Sequence, residues 1–441
     1  MSASNASTVD LAVLGGGIVG LSVAWRARAR GMSVVLLERD GLGRGATHVA
    51  AGMLAPVAEV EFGEAGRRVL ELGVRSAGMW PGFAAELERD SGIEVGLRRT
   101  GTLVVARDDD EAHELERQLA FRESLGLRAV RLRASEARER EPSLAPTVRL
   151  ALEAPDDHSV DPRRVVAALR GACEQAGVNL RERTLVRGLE LDAGATRVIG
   201  VEVAHAGGRA AQPAEGGFAE ENVLARDGSR GQAVGGAADG NVLVRDGVRA
   251  AAVGGAGAAD VDCFEEDGSC DTIYASDVVV AMGAWSGGLT GLPDGAGVSV
   301  RPVKGQIMRL RDPAGPGLLE RVVRFEGGYL VPRGDGRYVL GATMEERGFE
   351  PHATAGGVYE LLRDAHELVP GVSELQIEEL GVGYRPSTPD NAPVIGPGAI
   401  GGLTWATGHH RNGILLAPLT AELVMLSLRS GDTQNEPISF P

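Results

Sequence analysis

The chain is poor in the groups that mark several large classes of protein. Its 441 residues hold three cysteines, Cys173, Cys263 and Cys270. A disulfide framework is therefore not expected, and a reducing compartment suits the chain. Basic charge is short: 45 Lys and Arg stand against 61 Asp and Glu, a formal net charge of −16. That balance excludes the basic surface that neutralises nucleic-acid phosphates, and it disfavours an anionic membrane as partner. The opening MSASNASTVD lacks the basic stretch of a signal peptide, and glycines interrupt the apolar run after it long before a bilayer is spanned. These absences predict a cytoplasmic protein. What is present, 43% apolar and 24% charged residues, describes an ordinary globular chain long enough for two or three domains.

The front end carries the strongest local signal. DLAVL, residues 10–14, is an apolar run fit for a buried parallel strand, and GGGIVG follows it. The glycines Gly15, Gly17 and Gly20 form G-x-G-x-x-G. Next come LSVAWRARARG with helical spacing, stopping at Gly31, and the apolar SVVLLE ending in Glu38. Strand, glycine turn, helix, strand and a terminal acid make a complete dinucleotide-binding unit, which is far more specific than the glycines alone. Gly15 permits the turn, Gly17 lets backbone N–H groups approach a pyrophosphate, and Gly20 lets the helix pack on the strand. The helix N-terminus favours the anion, and Glu38 is placed to accept ribose hydroxyls.

The fingerprint leaves NAD and FAD both open. The sequence continues GLGRGATHVAAGML, residues 41–54, whose small residues let the backbone wrap a long, extended ligand, with Arg44 and Thr47 as candidate phosphate contacts. With the front end, this stretch resembles the FAD-dependent amine and amino-acid oxidases of the D-amino-acid oxidase superfamily. The resemblance implies an α/β fold, a Rossmann-like FAD-binding domain joined to a discontinuous mixed-sheet substrate domain. The expected pieces are 1–85, 150–292 and 380–441 for FAD, and 86–149 and 293–379 for substrate.

Between the pieces, 65–91 and 108–126 read as helices, and Asp161-Pro162 opens a third containing Cys173. RTLVRGLEL and TRVIGVEVA read as paired strands, and YASDVVVAMGAWS as a strand entering a Gly-Ala turn. Residues 205–270 are foreign to that pattern. They are rich in Gly, Ala and Asp, and NVLARDGSRGQAVGG from Asn222 recurs as NVLVRDGVRAAAVGG from Asn241. Two copies are too few for a solenoid, so the segment is expected to be a surface insert, with Cys263 and Cys270 as free thiols.

At the back end, GGYLVPRGDGRYVLGATM has the form of a hairpin; GVGYRPSTPDNAPVIGP and ATGHHRNGILLAP follow. These segments, with AAGML near the front, resemble the glycine oxidases of thiamine biosynthesis. Carried onto this sequence, Arg385 is similar to the arginine that clamps a substrate carboxylate and Tyr329 to the tyrosine supporting it. Arg411 is similar to a second arginine near substrate and flavin. A dry pocket for a carboxylate needs a cation, and a guanidinium binds it through two parallel hydrogen bonds. The implied FAD contacts are Gly15, Gly17, Ile18, Val19 and Gly20, then Glu38, Arg39, Ala46 and Thr47. Ala51, Gly52, Met53 and Val186 continue the set, and His409, His410, Arg411, Asn412, Gly413, Ile414 and Leu415 line the pyrimidine end. No metal is expected. GVGYRPS holds no cysteine where related sarcosine oxidases attach flavin, so the FAD should be non-covalent.

The resulting reading is oxidative deamination of glycine or a similarly small amine acid, with oxygen as acceptor; a homo-oligomer is left open. The alternatives are a D-amino-acid or sarcosine oxidase, a flavin dehydrogenase using another acceptor, or an NAD-dependent enzyme or binding module that keeps the glycine fingerprint.

Overall fold

The computed structural model describes residues 8–205 and 271–429. The insert at 205–270, with its repeat and with Cys263 and Cys270, lies outside the described residues apart from His205, which ends a strand. Two eight-stranded sheets organise the rest. In the first, Val9–Leu14 lies between Val34–Leu37 and Asp271–Val280, all parallel. Asn179–Arg181 extends it beyond Val34–Leu37, and Leu403–Thr407 pairs parallel with Asp271–Val280 on the other side. Strands covered on both faces need no polar alternation, and for this reason DLAVL and VVLL are continuous apolar runs.

The helices Ile18–Ala29, Glu64–Ser91, Pro162–Ala176 and Gly413–Ser427 contribute to one apolar core with this sheet; Trp25, Trp80, Leu169 and Leu416 are buried in it. Each such side chain contributes about 1.5–3 kcal/mol relative to exposure. Asp161 caps the Pro162–Ala176 helix by accepting from Arg163 N–H at 3.1 Å, as the Asp-Pro pair predicts. Thr184–Leu191 and Val198–His205 pair antiparallel, and the second of them leads into Asp271–Val280 as its antiparallel neighbour.

The second sheet runs in the order Gln376–Ser387, Arg301–Arg311, Arg337–Gly341, Gly328–Pro332, Val322–Phe325, Thr102–Ala106, Leu150–Ala154 and Val130–Arg133. Its pairs are antiparallel except Val322–Phe325 with Thr102–Ala106. The helix Ala355–Leu368 buries Leu361, Ala365 and Leu368 against one face. On the other face Ile307, Val331 and Val339 meet Ala51, from the loop after the glycine turn.

Two expected boundaries shift. Leu150–Ala154 and Gln376–Ser387 were placed at or across the starts of FAD-domain pieces at 150 and 380, yet both hydrogen-bond into the second sheet. Apolar alternation identifies a strand but not its partner, which is chosen by long-range pairing.

Candidate active site

Both sheets present their C-terminal or glycine-rich sides to one cavity of about 1020 Å³. Ordinary small-molecule pockets run from ~300 to 1,000 Å³, so this space suits a long ligand with a smaller one beside it. At one end stands the glycine turn. Gly15 has φ of +104°, and a Cβ there would lie 2.4 Å from Ala281 O. A Cβ on Gly20 would lie 1.9 Å from Gly15 O, so only glycine lets the helix sit this close. Gly15, Gly17, Ile18 and Val19 line the cavity, while Gly20 stands behind them as packing. Thr47 accepts from Ile18 N–H at 3.2 Å, tying the short helix Ala46–Val49 to the start of the long one. Glu38 accepts from the N–H groups of Gly16 (2.7 Å) and Asp40 (2.9 Å) and lines the cavity; burial raises its pKa against those two bonds. Arg39 lies over the Trp285 ring at 4.6 Å, and Val186 completes that end. Arg44 is exposed and absent from the wall, so its expected phosphate contact is not made from this position.

A second helix start opens on the same space. Gly413–Ser427 begins after Asn412, and its first backbone N–H groups have no acceptor within the helix. Gly413 and Ile414 line the cavity; Asn412 and Leu415 stand behind it, and Leu415 O instead accepts from Ser76 (2.6 Å) and Trp80 (2.9 Å). His409 is buried and shares a 2.9 Å hydrogen bond with Thr420. Burial holds its pKa down to about 4, and burial together with the charges of Arg385 and Arg411 holds His410 at about 3. Both imidazoles are neutral at physiological pH.

Arg385 and Tyr329 meet across a bare strip of sheet. A Cβ on Gly305 would lie 2.5 Å from the Arg385 guanidinium, and one on Gly341 would lie 3.0 Å from the Tyr329 hydroxyl. The two missing side chains let an arginine from Gln376–Ser387 and a tyrosine from Gly328–Pro332 lie flat towards one another. Arg385 Nη1 donates to Thr343 O at 3.0 Å, which orients the guanidinium and leaves other donors for a ligand. Burial lowers the Arg385 pKa and raises that of Tyr329, and each is partly offset by the other's proximity.

Arg411 lines the cavity, but its guanidinium is engaged. Nη2 donates to Glu59 O at 3.0 Å and pairs with Glu61 at 2.7 Å. Arg411, expected near substrate and flavin, stands on the cavity wall tethered to the acidic segment 59–61, which supplies its countercharge. That segment is itself anchored. Asp157 accepts from the N–H groups of Val57 (3.1 Å) and Ala58 (2.6 Å), and Arg122 donates to their carbonyls at 2.8 and 3.1 Å. Ala51, Gly52 and Met53 form the wall just before it, with Ala51 O held by Arg333 at 2.7 Å.

Further charged groups on this wall escaped sequence reading, among them Glu59 and Arg324. Arg324 left a signal, a charge inside the apolar strand VVRF; Glu59 sits among other acids and left none.

Comparison with known proteins agrees with this geometry. The family model for FAD dependent oxidoreductases matches residues 10–233 and 214–425. The chain belongs to that family. Among its relatives this oxidoreductase is similar to the glycine oxidase of Geobacillus kaustophilus, 31% identical over 94% of this chain and 91% of that one. It is also similar to the bifunctional protein ThiO/ThiG of Trichormus variabilis, 32% identical over 95% of this chain but 52% of that one. The chain thus spans about half the length of the bifunctional relatives it matches. The crystal structure of the Geobacillus kaustophilus glycine oxidase superposes with a TM-score of 0.75 at 29% identity, covering 97% and 96% of the two chains.

FAD is the cofactor of this oxidoreductase, and the residues present fit it. The crowded glycine cradle, the two helix starts facing one cavity and the cavity's size all match a ligand with an anionic middle and an extended ring system. Among the described residues no cysteine lines the cavity; Cys173 is buried in the Pro162–Ala176 helix.

Proposed function

We propose that the oxidoreductase oxidises glycine, or a similarly small amine acid, to its imine. The single observation that carries this reading is the Arg385–Tyr329 pair, laid across glycines in a half-buried cavity beside the Gly413 helix start. In this reading the first sheet holds the cofactor and the second holds the substrate. Arg385 binds the substrate carboxylate, with the Tyr329 hydroxyl as a neutral donor beside it, and so fixes the α-carbon. FAD, when bound, supplies the acceptor for the two electrons and the hydrogen that leave the α-carbon, and oxygen takes the electrons on to hydrogen peroxide. The N–H groups at Gly413 and Ile414 provide fixed donors where negative charge develops, without reorganisation. His409 and His410, neutral in the fold, pack the wall and carry no proton away. The substrate amine enters unprotonated, and the imine that leaves is hydrolysed by water to glyoxylate and ammonia. The relatives named ThiO/ThiG favour the imine's use in making the thiazole of thiamine.

Peroxide release from glycine, sarcosine and D-alanine tests the reading. Turnover of glycine with one peroxide per imine is expected. No peroxide with any of the three, while an artificial dye is reduced, replaces the oxidase with a dehydrogenase. Thiazole-independent growth of a strain lacking glycine oxidase, on expression of this chain, checks the biosynthetic role.

A further inference from the structure

Lys304 is the chain's one lysine; every other of its 45 basic residues is arginine. It lies in the strand Arg301–Arg311, fully buried, and does not line the cavity. Tyr384 stands opposite it in the ladder, and successive strand residues point to opposite faces. Lys304 therefore lies behind the face on which the Arg385 guanidinium covers Gly305. A buried ammonium is costly unless it is paired, and this one has three acceptors. Nζ pairs with Glu350, donates to His352 O at 2.7 Å and stands 3.6 Å from Glu345. All three acceptors belong to residues 342–354, which link Arg337–Gly341 to the helix Ala355–Leu368 with little regular structure.

The same segment carries the carbonyl that orients Arg385. Thr343 O accepts from Arg385 Nη1 at 3.0 Å, and Lys304 O accepts from it at 3.4 Å. Thr343 is itself fixed through its hydroxyl, which donates to Glu345 Oε1 at 2.6 Å and accepts from Gln306 N–H at 2.9 Å. Gln306 Nε2 donates to the same carboxylate oxygen at 2.7 Å. Backbone bonds of 2.9 Å in both directions between Lys304 and Glu345 complete the joint. Arg347 also approaches Glu345, at 3.7 Å, but its own side chain is exposed. The contacts thus run from Lys304 through Glu345 and Thr343 to Arg385. An ammonium directs three donors from one point and reaches three acceptors in a closed space. A guanidinium is wider and holds its donors in one plane, which accounts for a lysine at this position.

We propose that Lys304 is a positioning residue for the substrate-binding arginine. From behind the sheet its ammonium holds residues 343–352 in place, and Glu345 passes that constraint to Thr343, whose carbonyl aims Arg385. This rests on the Arg385 assignment made under the proposed function. Removing the anchor loosens the grip on the substrate carboxylate, a contact made alike before and during the reaction, so binding suffers more than turnover.

Calorimetric titration of FAD-loaded protein with acetate tests this without turnover. Lys304→Met keeps the length of the side chain and removes its charge. Glu345→Ala cuts the link at a partly exposed side chain, and decides the matter should the Lys304 variant not fold. Each should weaken acetate binding about tenfold and raise KM for glycine to match, with FAD content unchanged and kcat within about threefold. Lys304→Arg should not restore the affinity. In an Arg385→Ala background neither change should add more than about twofold, because groups that act through one another are not additive. A loss that adds in full to that of Arg385→Ala overturns the proposal, as does full affinity in Lys304→Arg. Unchanged acetate affinity in either folded variant, where Arg385→Ala has lost it, refutes the anchoring alone. Acetate affinity untouched by Arg385→Ala refutes the clamp of the proposed function, and this inference with it.

Discussion

At Gly305 the absence of a side chain does as much for the site as the charge of Arg385. Gly305→Ala puts a methyl 2.5 Å from the guanidinium, which is the free end of a flexible chain and yields without breaking the sheet. The variant should therefore fold and hold FAD, yet lose substrate affinity because the cation is lifted from Tyr329. Arg385→Ala should raise KM at least tenfold, since truncating a desolvated charge pair costs roughly 2–5 kcal/mol. A Gly305→Ala enzyme with unchanged KM for glycine would separate the glycine from the clamp. The buried imidazoles lead to a second expectation. With His409 at about 4 and His410 at about 3, neither titrates between pH 5.5 and 8. The rise of kcat/KM with pH should instead track the substrate amine and move when a less basic amine acid is used. An inflection near 6.5 that stays put across substrates would mean that an imidazole works as a base. Arg385, Tyr329 and the glycine turn were legible in the sequence because each lies in a short motif. Glu59 and Arg324 were not, since their meeting requires the 55–61 segment to fold over a strand more than 250 residues later.

At the scale of elements, the segment after Met53 shows how a wall without regular structure is held. Asp157 and Arg122 grip the same two peptide groups from opposite sides, so Val57 and Ala58 satisfy their backbone groups inside the protein. Burial raises the Asp157 carboxyl from its ordinary 3.8 to about 7. A raised acid pKa means that the fold favours the protonated form. Its contribution is fully present below pH ~4 and is lost as the pH rises through about 7. Asp157→Asn lacks this titration. The stability advantage of the unmodified protein over the variant should shrink between pH 5 and pH 8, by about 2–3 kcal/mol at most. Paired urea unfolding at the two pH values measures it, and an advantage that stays flat between them would show that Asp157 is ionised throughout. Helices and most strands were readable from apolar period and caps, as Asp161-Pro162 illustrates. Which sheet a strand joins was not, because Leu150–Ala154 and Gln376–Ser387 carry the same alternation as strands of either sheet.

For the whole molecule, the two sheets are joined by crossings that return to the first sheet through Asn179–Arg181 and Val394–Pro397. The fingerprint at the front end made the first sheet predictable; the second follows from long-range antiparallel pairing that no local pattern encodes. One consequence concerns the long stretch between Val198–His205 and Asp271–Val280. These strands are antiparallel neighbours with Val203 opposite Asp271, so the chain leaves and re-enters the first sheet at adjacent positions. Closing such a gap needs only a hairpin of two to five residues. The ladder itself, with Val201 opposite Ile273 and Gly200 opposite Tyr274, runs away from the gap towards the cavity-facing end of Asp271–Val280, where Ala281 closes on Gly15. Replacing residues 206–270 with Asn-Gly should therefore keep the strand register that seats the glycine turn. The shortened protein should purify yellow, with the same FAD content per chain and the same kcat for glycine within about twofold, because shortening a connection between strands that are already neighbours changes closure entropy only weakly. Loss of FAD with retained solubility would show that the segment supports the cofactor, and loss of solubility would show that it covers apolar surface.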